Sequence, residues 1–293
     1  MSRYFTDKNA MSCPWTLSPF FYELLKSDDS LTSEEKSMAK QFHEDGYVIL
    51  DLKISDNVIE NIKNDVTKNP SGKTQEDSYH YSHNPRVFEA WKYSDSVRSI
   101  ANHPKVISTL EMLYGRKALP FQTINFLGPT NQPIHSDAIH FSTTPSGWVA
   151  ACWAAFEDMD ASNGTLSYVP GSHHWPEVNF KSIGLGPTKY GEQFENYAEY
   201  EEYTRRLMEA KGVSPSALSI PSGHALIWSA NLLHGGTPVE NPESVSRWSQ
   251  ATHYYFEGCD HYYAPMFSDP LEGDYAEKDL TTKDIGGNYN NGN

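Results

Sequence analysis

The sequence predicts an α+β protein that is mainly β, with N-terminal helices packed on an antiparallel β-core. Two observations support this prediction. From residue 119 onward, short runs of β-branched and aromatic residues alternate with clusters of Gly, Pro, Asn and Asp, as in a sandwich or barrel. Before that point, apolar residues recur mostly at helical spacing. The 293 residues would suit two domains of roughly 150 residues each, but one large β-domain also reaches this size.

The N-terminal part is predicted to contain four helices and one strand. Thr32, followed by Ser33 and two glutamates, is typical of a helix start, and Gly46 is typical of a helix end. The predicted elements, in order, are an arm lying on the domain (1–30), a helix from Thr32 to Gly46, a strand (47–52), a helix (56–68), a loop (69–85) and two short helices (roughly 95–102 and 104–115).

These helices and the β-rich part that follows them are predicted to form a single domain spanning residues 31–268. Residues 176–215 form a long polar, Tyr-rich insertion whose second half, from Tyr197 to Lys211, has helical character. The polar segment 269–293 is predicted to be a flexible tail. The predicted strands are residues 119–127, 133–141, 148–157, 164–169, 216–220, 224–230 and 246–257.

The composition narrows the classes of partner and compartment. The formal charge is −15, and nucleic acids and anionic membranes bind clustered Lys and Arg, so neither is an expected partner. The three cysteines include no CxxC pair and are expected to be reduced thiols. The N-terminus does not resemble a signal peptide, and no apolar run reaches the roughly 18 to 20 residues of a membrane span. We therefore expect a cytoplasmic protein.

Two histidines and one aspartate have a pattern that suits a metal site. His135 and Asp137 are two positions apart, so on a strand both side chains would project from one face. Alone, such a pair is more often a surface turn or an ordinary hydrogen-bonded pair. His234 follows the apolar segment 225–228, where a lone histidine is more often a packed core residue. Together, however, two imidazoles and one carboxylate form the facial set typical of non-haem Fe(II) oxygenases.

Arg247 is the candidate for binding an anion. It begins the predicted strand 246–257, where alternation places it on one face with Ser249, Ala251 and His253. A buried arginine requires an anion, and its planar fork matches a carboxylate. The sequence leaves open whether that anion is a ligand or a protein carboxylate.

These pieces, in this order, resemble the phytanoyl-CoA dioxygenase-like (PhyH) family of Fe(II)- and 2-oxoglutarate-dependent hydroxylases. The resemblance runs from about residue 32 to 257 but does not explain the arm or the insertion. It implies a double-stranded β-helix core, also called a jelly roll or cupin-like fold, and a small-molecule substrate. The segments that carry it are FHEDGYVIL (42–50), HSD (135–137), WAAF (153–156), NGTL (163–166), VPGSH (169–173), His234 and Arg247.

The resemblance also assigns roles to individual residues. It makes His135, Asp137 and His234 the iron ligands, and Arg247 the partner of the distal carboxylate of 2-oxoglutarate, with O2 as the second co-substrate. Trp153, Gln122 and Ser249 are expected to line the co-substrate pocket. Arg247 follows His234 by thirteen positions, whereas close relatives often have eleven. We interpret the difference as a loop extension in the turn-rich segment 238–244.

Other residues and functions were weighed against this hypothesis. His173 and His174 are adjacent, so on a strand they would not face one site, and a turn-stabilising role is favoured. The aromatic-polar cluster at 79–83 is interpreted as a solvated loop or a pocket wall. His253 borders the pocket or is a satisfied core residue. A halogenase is disfavoured because Asp137 is present. The alternative function is a non-catalytic jelly-roll protein that binds a metabolite or sugar.

The substrate is not predicted by the sequence. Few basic residues are available for the phosphates of a CoA thioester, which argues weakly against one. Segments 69–93 and 176–215 are the predicted lid over the pocket.

Overall fold

The computed structural model describes residues 12–68, 84, 86–189, 193–280 and 284–286. Within these ranges the helices are α1 (Phe21–Ser27), α2 (Ser33–Asp45), α3 (Asp56–Lys68), α4 (Asp95–Ala101), α5 (Pro104–Tyr114) and α6 (Gln193–Lys211). The strands are β1 (Tyr47–Asp51), β2 (Arg86–Phe88), β3 (Ala118–Phe126), β4 (Ser142–Thr144), β5 (Val149–Ala155), β6 (Leu166–Tyr168), β7 (Ser216–Ala217), β8 (His224–Ser229), β9 (His234–Gly236), β10 (Ser249–Phe256) and β11 (His261–Tyr263). No helix in the described ranges is long and apolar enough to cross a bilayer.

Local signals set the ends of helix α2. The Thr32 side chain accepts a hydrogen bond from the backbone N–H of Glu35, and the Glu35 carboxylate accepts one from the backbone N–H of Thr32, which forms a capping box. Gly46 ends the helix at φ 84°, a left-handed conformation that favours glycine. The chain then enters β1 directly, as the sequence predicts.

A six-stranded antiparallel sheet forms the larger layer of the core, in the order β1-β8-β5-β10-β3-β2. Side chains alternate between its two faces. Cys152 of β5 and Tyr254 of β10 belong to the apolar cluster shared with helices α2 to α5. Trp153, next to Cys152 on β5, and Ala251, three positions before Tyr254 on β10, belong to a second cluster on the opposite face. The helices therefore cover one face and leave the other for the site.

A smaller sheet, in the order β7-β6-β9, covers that second face. Its Leu166 and Tyr168 pack in one cluster with Trp153 and Leu226 of the larger sheet. A bridge between His135 and His234 adds the segment before residue 137 to this smaller sheet. Two antiparallel sheets packed over a common interior, with helices outside, confirm the predicted mainly β, jelly-roll fold.

The predicted strand 133–141 is wrong. Only His135 pairs, through the isolated bridge to His234, and Asp137–Ile139 form a 3-10 turn. The turn forms because the Ser136 hydroxyl accepts a hydrogen bond from the backbone N–H of Ala138, 3.1 Å away, which competes locally with strand pairing.

Both chain ends contribute to the core. Trp15 is fully buried, and its Nε1 donates to the Met112 carbonyl oxygen at 2.8 Å, so this part of the predicted arm belongs to the core. Leu280 and Ile285 are also buried. Within the predicted tail, Leu280 packs in an apolar cluster with Phe121 and Tyr255. Residues 1–11, 281–283 and 287–293 lie outside the described residues.

Replacing Trp15 by Ala tests the role of the N-terminal segment. Removing a fully buried indole is expected to lower the free energy of unfolding by about 3–5 kcal/mol. Urea denaturation measures this change, with Leu271→Ala, at an 83% exposed position, as the control. A Trp15→Ala effect no larger than that of the control would show that the segment is an accessory arm.

Candidate active site

His135 and Asp137 are brought together by a turn rather than by a strand face. The His135 backbone N–H donates to the His234 carbonyl at 2.9 Å, and the His234 N–H returns the bond to the His135 carbonyl at 2.9 Å. Asp137 then starts the 3-10 turn, whose Ala138 N–H donates to the Ala230 carbonyl at 3.2 Å. Both ligand-bearing segments are thus tied through backbone hydrogen bonds.

Glycine at position 235 permits this close approach. A Cβ at Gly235 would lie 2.7 Å from the Gln132 carbonyl oxygen and 2.9 Å from the Pro133 carbonyl oxygen. These distances are too short for a side chain, so a glycine is required where β9 passes the segment that leads to His135.

The three predicted ligands form one cluster. Asp137 Oδ1 lies 3.9 Å from His135 Nε2 and 3.7 Å from His234 Nε2. One ligand atom from each residue lies within 4.8 Å of the others, and all three residues are buried. Within the described residues this is the only group of three or more such side chains close enough to hold a metal ion. The donor set fits a divalent first-row metal with open positions.

Both imidazoles are oriented for metal binding by their second nitrogen. His135 Nδ1 lies 2.9 Å from the Pro133 carbonyl oxygen, and His234 Nδ1 lies 2.9 Å from the Leu232 carbonyl oxygen. A carbonyl accepts only, so each Nδ1 carries the proton and each Nε2 keeps its lone pair. Burial, followed by the neighbouring His234, lowers the pKa of His135 to about 3. The ring is therefore neutral at neutral pH.

The Asp137 carboxylate is held by two groups on its other oxygen. Trp228 Nε1 donates to Asp137 Oδ2 at 2.9 Å, and His253 Nε2 lies 3.7 Å from the same oxygen. Burial alone would raise the pKa of Asp137, but the imidazoles of His234, His253 and His135 outweigh it and lower that pKa well below its ordinary value. Oδ1 is thereby left to face the Nε2 atoms of His135 and His234.

Arg247 occupies the other end of the same interior. It is only 2% exposed, and its Cζ lies 5.0 Å from the Trp153 ring centroid and 5.7 Å from that of Phe126. Its Nε has no hydrogen-bond partner, and no carboxylate in the described residues forms an ion pair with it. Burial, followed by the nearby Arg86, lowers the pKa of Arg247 to about 9. A bound anion would offset both the burial of the charge and the repulsion from Arg86.

Two further buried donors accompany Arg247. Trp153 Nε1 and Ser249 Oγ both lack hydrogen-bond partners among the described residues, although the two side chains are 1% and 0% exposed. Unsatisfied buried donors of this kind are rare in folded proteins unless a ligand or water completes them. The end of the interior around Arg247 therefore offers several donors to an acidic ligand.

Gln122 lies elsewhere on the same face. In the register of β3 and β10 it stands opposite His253, whereas Phe126 stands opposite Ser249. Gln122 therefore lies at the metal end of the interior rather than at the Arg247 end.

Two site residues were missed by the sequence reasoning. Trp228 alternates with Ala225 and Ile227 on a buried strand. Because a buried indole N–H usually has a hydrogen-bond partner, its burial was the signal that could have indicated a polar partner. Arg86 of β2 pairs with Phe126 of β3, and its Cζ lies 5.7 Å from the Phe126 ring centroid. No sequence motif indicates this position.

The remaining histidine candidates do not join the cluster. His173 Nε2 and His174 Nε2 lie 3.0 and 2.6 Å from the same carbonyl oxygen, that of His43, so both rings tie their turn to the end of α2. Residues 79–83 lie outside the described residues. His253, by contrast, borders the site through Asp137.

Fold and donor set together define a jelly-roll protein with a two-histidine, one-carboxylate cluster. The chain belongs to the phytanoyl-CoA dioxygenase (PhyH) family, whose model matches residues 42–247. The peroxisomal phytanoyl-CoA dioxygenase of Bos taurus is 22% identical over 205 residues, which cover 62% of this chain and 55% of that protein. The corresponding protein of Rattus norvegicus is 28% identical over 80 residues, 25% of this chain and 24% of that protein. The chain thus matches about half the length of the bovine relative.

Solved structures agree on the fold. The non-haem α-ketoglutarate-dependent carbocyclase SnoK from nogalamycin biosynthesis superposes with a TM-score of 0.63 at 16% identity, covering 86% of this chain and 96% of that one. The epimerase SnoN, crystallised with Fe3+, α-ketoglutarate and nogalamycin RO, superposes with a TM-score of 0.57 at 20% identity, covering 84% of this chain and 96% of that one. EctD from S. alaskensis, with 2-oxoglutarate and 5-hydroxyectoine, gives 0.56 at 16% identity, covering 78% of each chain.

Replacing Trp228 by Phe tests whether the indole N–H positions the Asp137 carboxylate. Loss of the indole N–H, 2.9 Å from Asp137 Oδ2, is expected to weaken Fe(II) binding by about 10- to 100-fold, because groups that orient a metal ligand contribute that much. Anaerobic equilibrium dialysis measures the dissociation constant.

The matched control is Trp91→Phe, a buried indole whose Nε1 has no hydrogen-bond partner among the described residues. Equal affinities in both variants and the unmodified chain would mean that Trp228 does not orient the carboxylate.

Proposed function

We propose that this protein is an Fe(II)- and 2-oxoglutarate-dependent dioxygenase that hydroxylates a C–H bond of a small-molecule metabolite. In the balanced reaction, substrate, O2 and 2-oxoglutarate give hydroxylated product, CO2 and succinate. The observation that carries the proposal is one interior with a His135–Asp137–His234 cluster at one end and, at the other, a buried Arg247 whose Nε has no hydrogen-bond partner among the described residues. Membership of the PhyH family supports it.

The cluster residues would hold the iron. His135 and His234 present unprotonated Nε2 atoms, and Asp137 supplies one negative charge through Oδ1. Two neutral ligands and one anion leave the site with net positive charge when a divalent ion is present, which favours an anionic co-substrate. Bound iron would supply the oxidation of the C–H bond by O2.

Arg247 would bind the distal carboxylate of 2-oxoglutarate. Its guanidinium supplies charge and a planar fork, and Ser249 Oγ is a neighbouring donor that has no partner in the part of the chain that the structure describes. Trp153 and Phe126 form apolar walls beside the guanidinium. They exclude water there and so strengthen the ion pair. Gln122, at the metal end, is proposed to contact the opposite end of the co-substrate.

A non-catalytic binding protein is the less favoured alternative. A sugar or metabolite binder has no need for a buried arginine without a carboxylate partner among the described residues, in one interior with a three-residue metal cluster. The structural neighbours carry out several reactions by their titles, including epimerisation and ring formation. Product analysis therefore has to establish that the substrate gains one oxygen atom.

Turnover of 2-oxoglutarate tests the function. Purified protein with Fe(II) is expected to bind 2-oxoglutarate anaerobically, with a visible charge-transfer band, and in air to form succinate faster when a metabolite library supplies the substrate. Asp137→Ala, which removes the anionic ligand, is expected to abolish both signals. A chain that binds Fe(II) without either signal would be a binding protein.

Substitution of Arg247 separates co-substrate binding from metal binding. Arg247→Met is expected to raise the KM for 2-oxoglutarate by about 10- to 100-fold, because a charged hydrogen-bonding partner is lost. Arg247→Lys is expected to have a KM between those of the unmodified chain and Arg247→Met, since lysine keeps the charge but lacks the planar fork of the guanidinium. Fe(II) affinity should stay unchanged.

Arg206→Met, a change at a side chain that is 73% exposed, is the matched control. An unaltered KM in Arg247→Met would contradict the assignment of the co-substrate pocket.

A further inference from the structure

Helix α6 lies in the insertion that the family resemblance leaves unexplained. Tyr197, Tyr200 and Thr204 are 3%, 1% and 2% exposed, and their spacing of three and four places them on one face. Tyr203, between them in sequence, is 39% exposed. Helix α6 is therefore docked on the domain through a buried stripe.

The Tyr200 hydroxyl reaches the backbone between two metal-ligand residues. The Ser136 backbone N–H donates to Tyr200 Oη at 2.9 Å, and both groups are buried. Because residue 136 lies at the start of a turn, that N–H has no partner within a sheet. Without the tyrosine hydroxyl it would be a buried unsatisfied donor. Burial raises the pKa of Tyr200, so the hydroxyl remains neutral.

A second tyrosine of α6 contacts the far end of the same turn. Tyr197 Oη lies 3.2 Å from His140 Nε2, and the two rings stack with centroids 5.4 Å apart. Ile139, inside the turn, packs with Tyr197, Tyr200 and Phe180 in one apolar cluster. The helix thus contacts the turn before Asp137, within it and after it.

Opposite contacts hold the turn from the larger sheet. The Ser136 hydroxyl donates to the Ala230 carbonyl at 2.9 Å, and the Ala138 N–H also donates to that carbonyl at 3.2 Å. The segment that carries Asp137 is therefore held between the end of β8 and α6. Small rotations of this segment would move the carboxylate out of reach of the imidazoles.

We propose that α6 positions the metal-ligand turn and that Tyr200 is its principal positioning residue. The helix sets the placement of Asp137 relative to His135 through the Ser136 N–H. This inference rests on the proposed metal site. It assigns to the insertion a role in pre-organising the iron ligands rather than in closing over a substrate.

Tyr200→Phe tests the inference because it removes only the hydroxyl. Co(II) is the probe, titrated anaerobically into the 293-residue chain, since its visible absorption reports ligand geometry. The expected result is a dissociation constant raised about 10-fold, with an altered Co(II) spectrum. Tyr203→Phe, on the exposed face of the same helix, should bind as the unmodified chain does.

Thermal unfolding of the metal-free protein separates positioning from stability. Reduced thermal stability with unchanged Co(II) affinity and spectrum would overturn the proposal while leaving the metal site intact. If Tyr200→Phe does not fold, Tyr197→Phe decides: a weaker Co(II) affinity supports the proposal, and an unchanged one overturns it. Absence of Co(II) binding to the unmodified chain would overturn the proposed metal site itself.

Discussion

A carboxylate that is only 4% exposed must be held by donors, and here the donors to Asp137 come from the larger sheet. Trp228 of β8 hydrogen bonds to Oδ2, and His253 of β10 faces the same oxygen. Oδ1 consequently faces the imidazoles of the smaller layer. One buried charge therefore joins the two sheets, and the placement of the remaining site residues follows from it.

Strand β10 and the residues before it connect the two ends of the interior. Arg247 and Ser249 lie at one end and His253 lies at the other, beside Asp137. Ala251, a small residue between them, lies in the cluster on the same face. An extended ligand with a carboxylate at one end and metal-binding oxygens at the other matches this arrangement, and 2-oxoglutarate has that form.

Elements with strong local signals could be predicted from the sequence. The capping box at Thr32, the positive-φ Gly46 and the alternation along β5 and β10 are encoded by neighbouring residues. The turn at 137–139 is not recognised from the sequence because the local hydrogen bond from the Ala138 N–H to the Ser136 hydroxyl is reinforced by distant partners, Tyr200 and Ala230.

Long-range contacts also explain why the core position of Trp15 and the role of Trp228 were not predicted from the sequence. Trp15 was assigned to an arm because its core position depends on the Met112 carbonyl, nearly a hundred residues away. Trp228 was missed for the same reason, since Asp137 lies on a different layer. The three residues of the cluster could be picked out because the family motifs preserve their order, although the strand predicted around His135 and Asp137 is a turn.

Anaerobic equilibrium dialysis with Fe(II) tests the central claim, that Asp137 and its two histidines form one metal site. The unmodified chain is expected to bind one Fe(II), and Asp137→Ala to lose affinity by more than about 100-fold, with an unchanged far-ultraviolet circular dichroism spectrum. Asp260→Ala, at an exposed aspartate, should bind normally. Equal Fe(II) binding by Asp137→Ala and the unmodified chain would contradict the account.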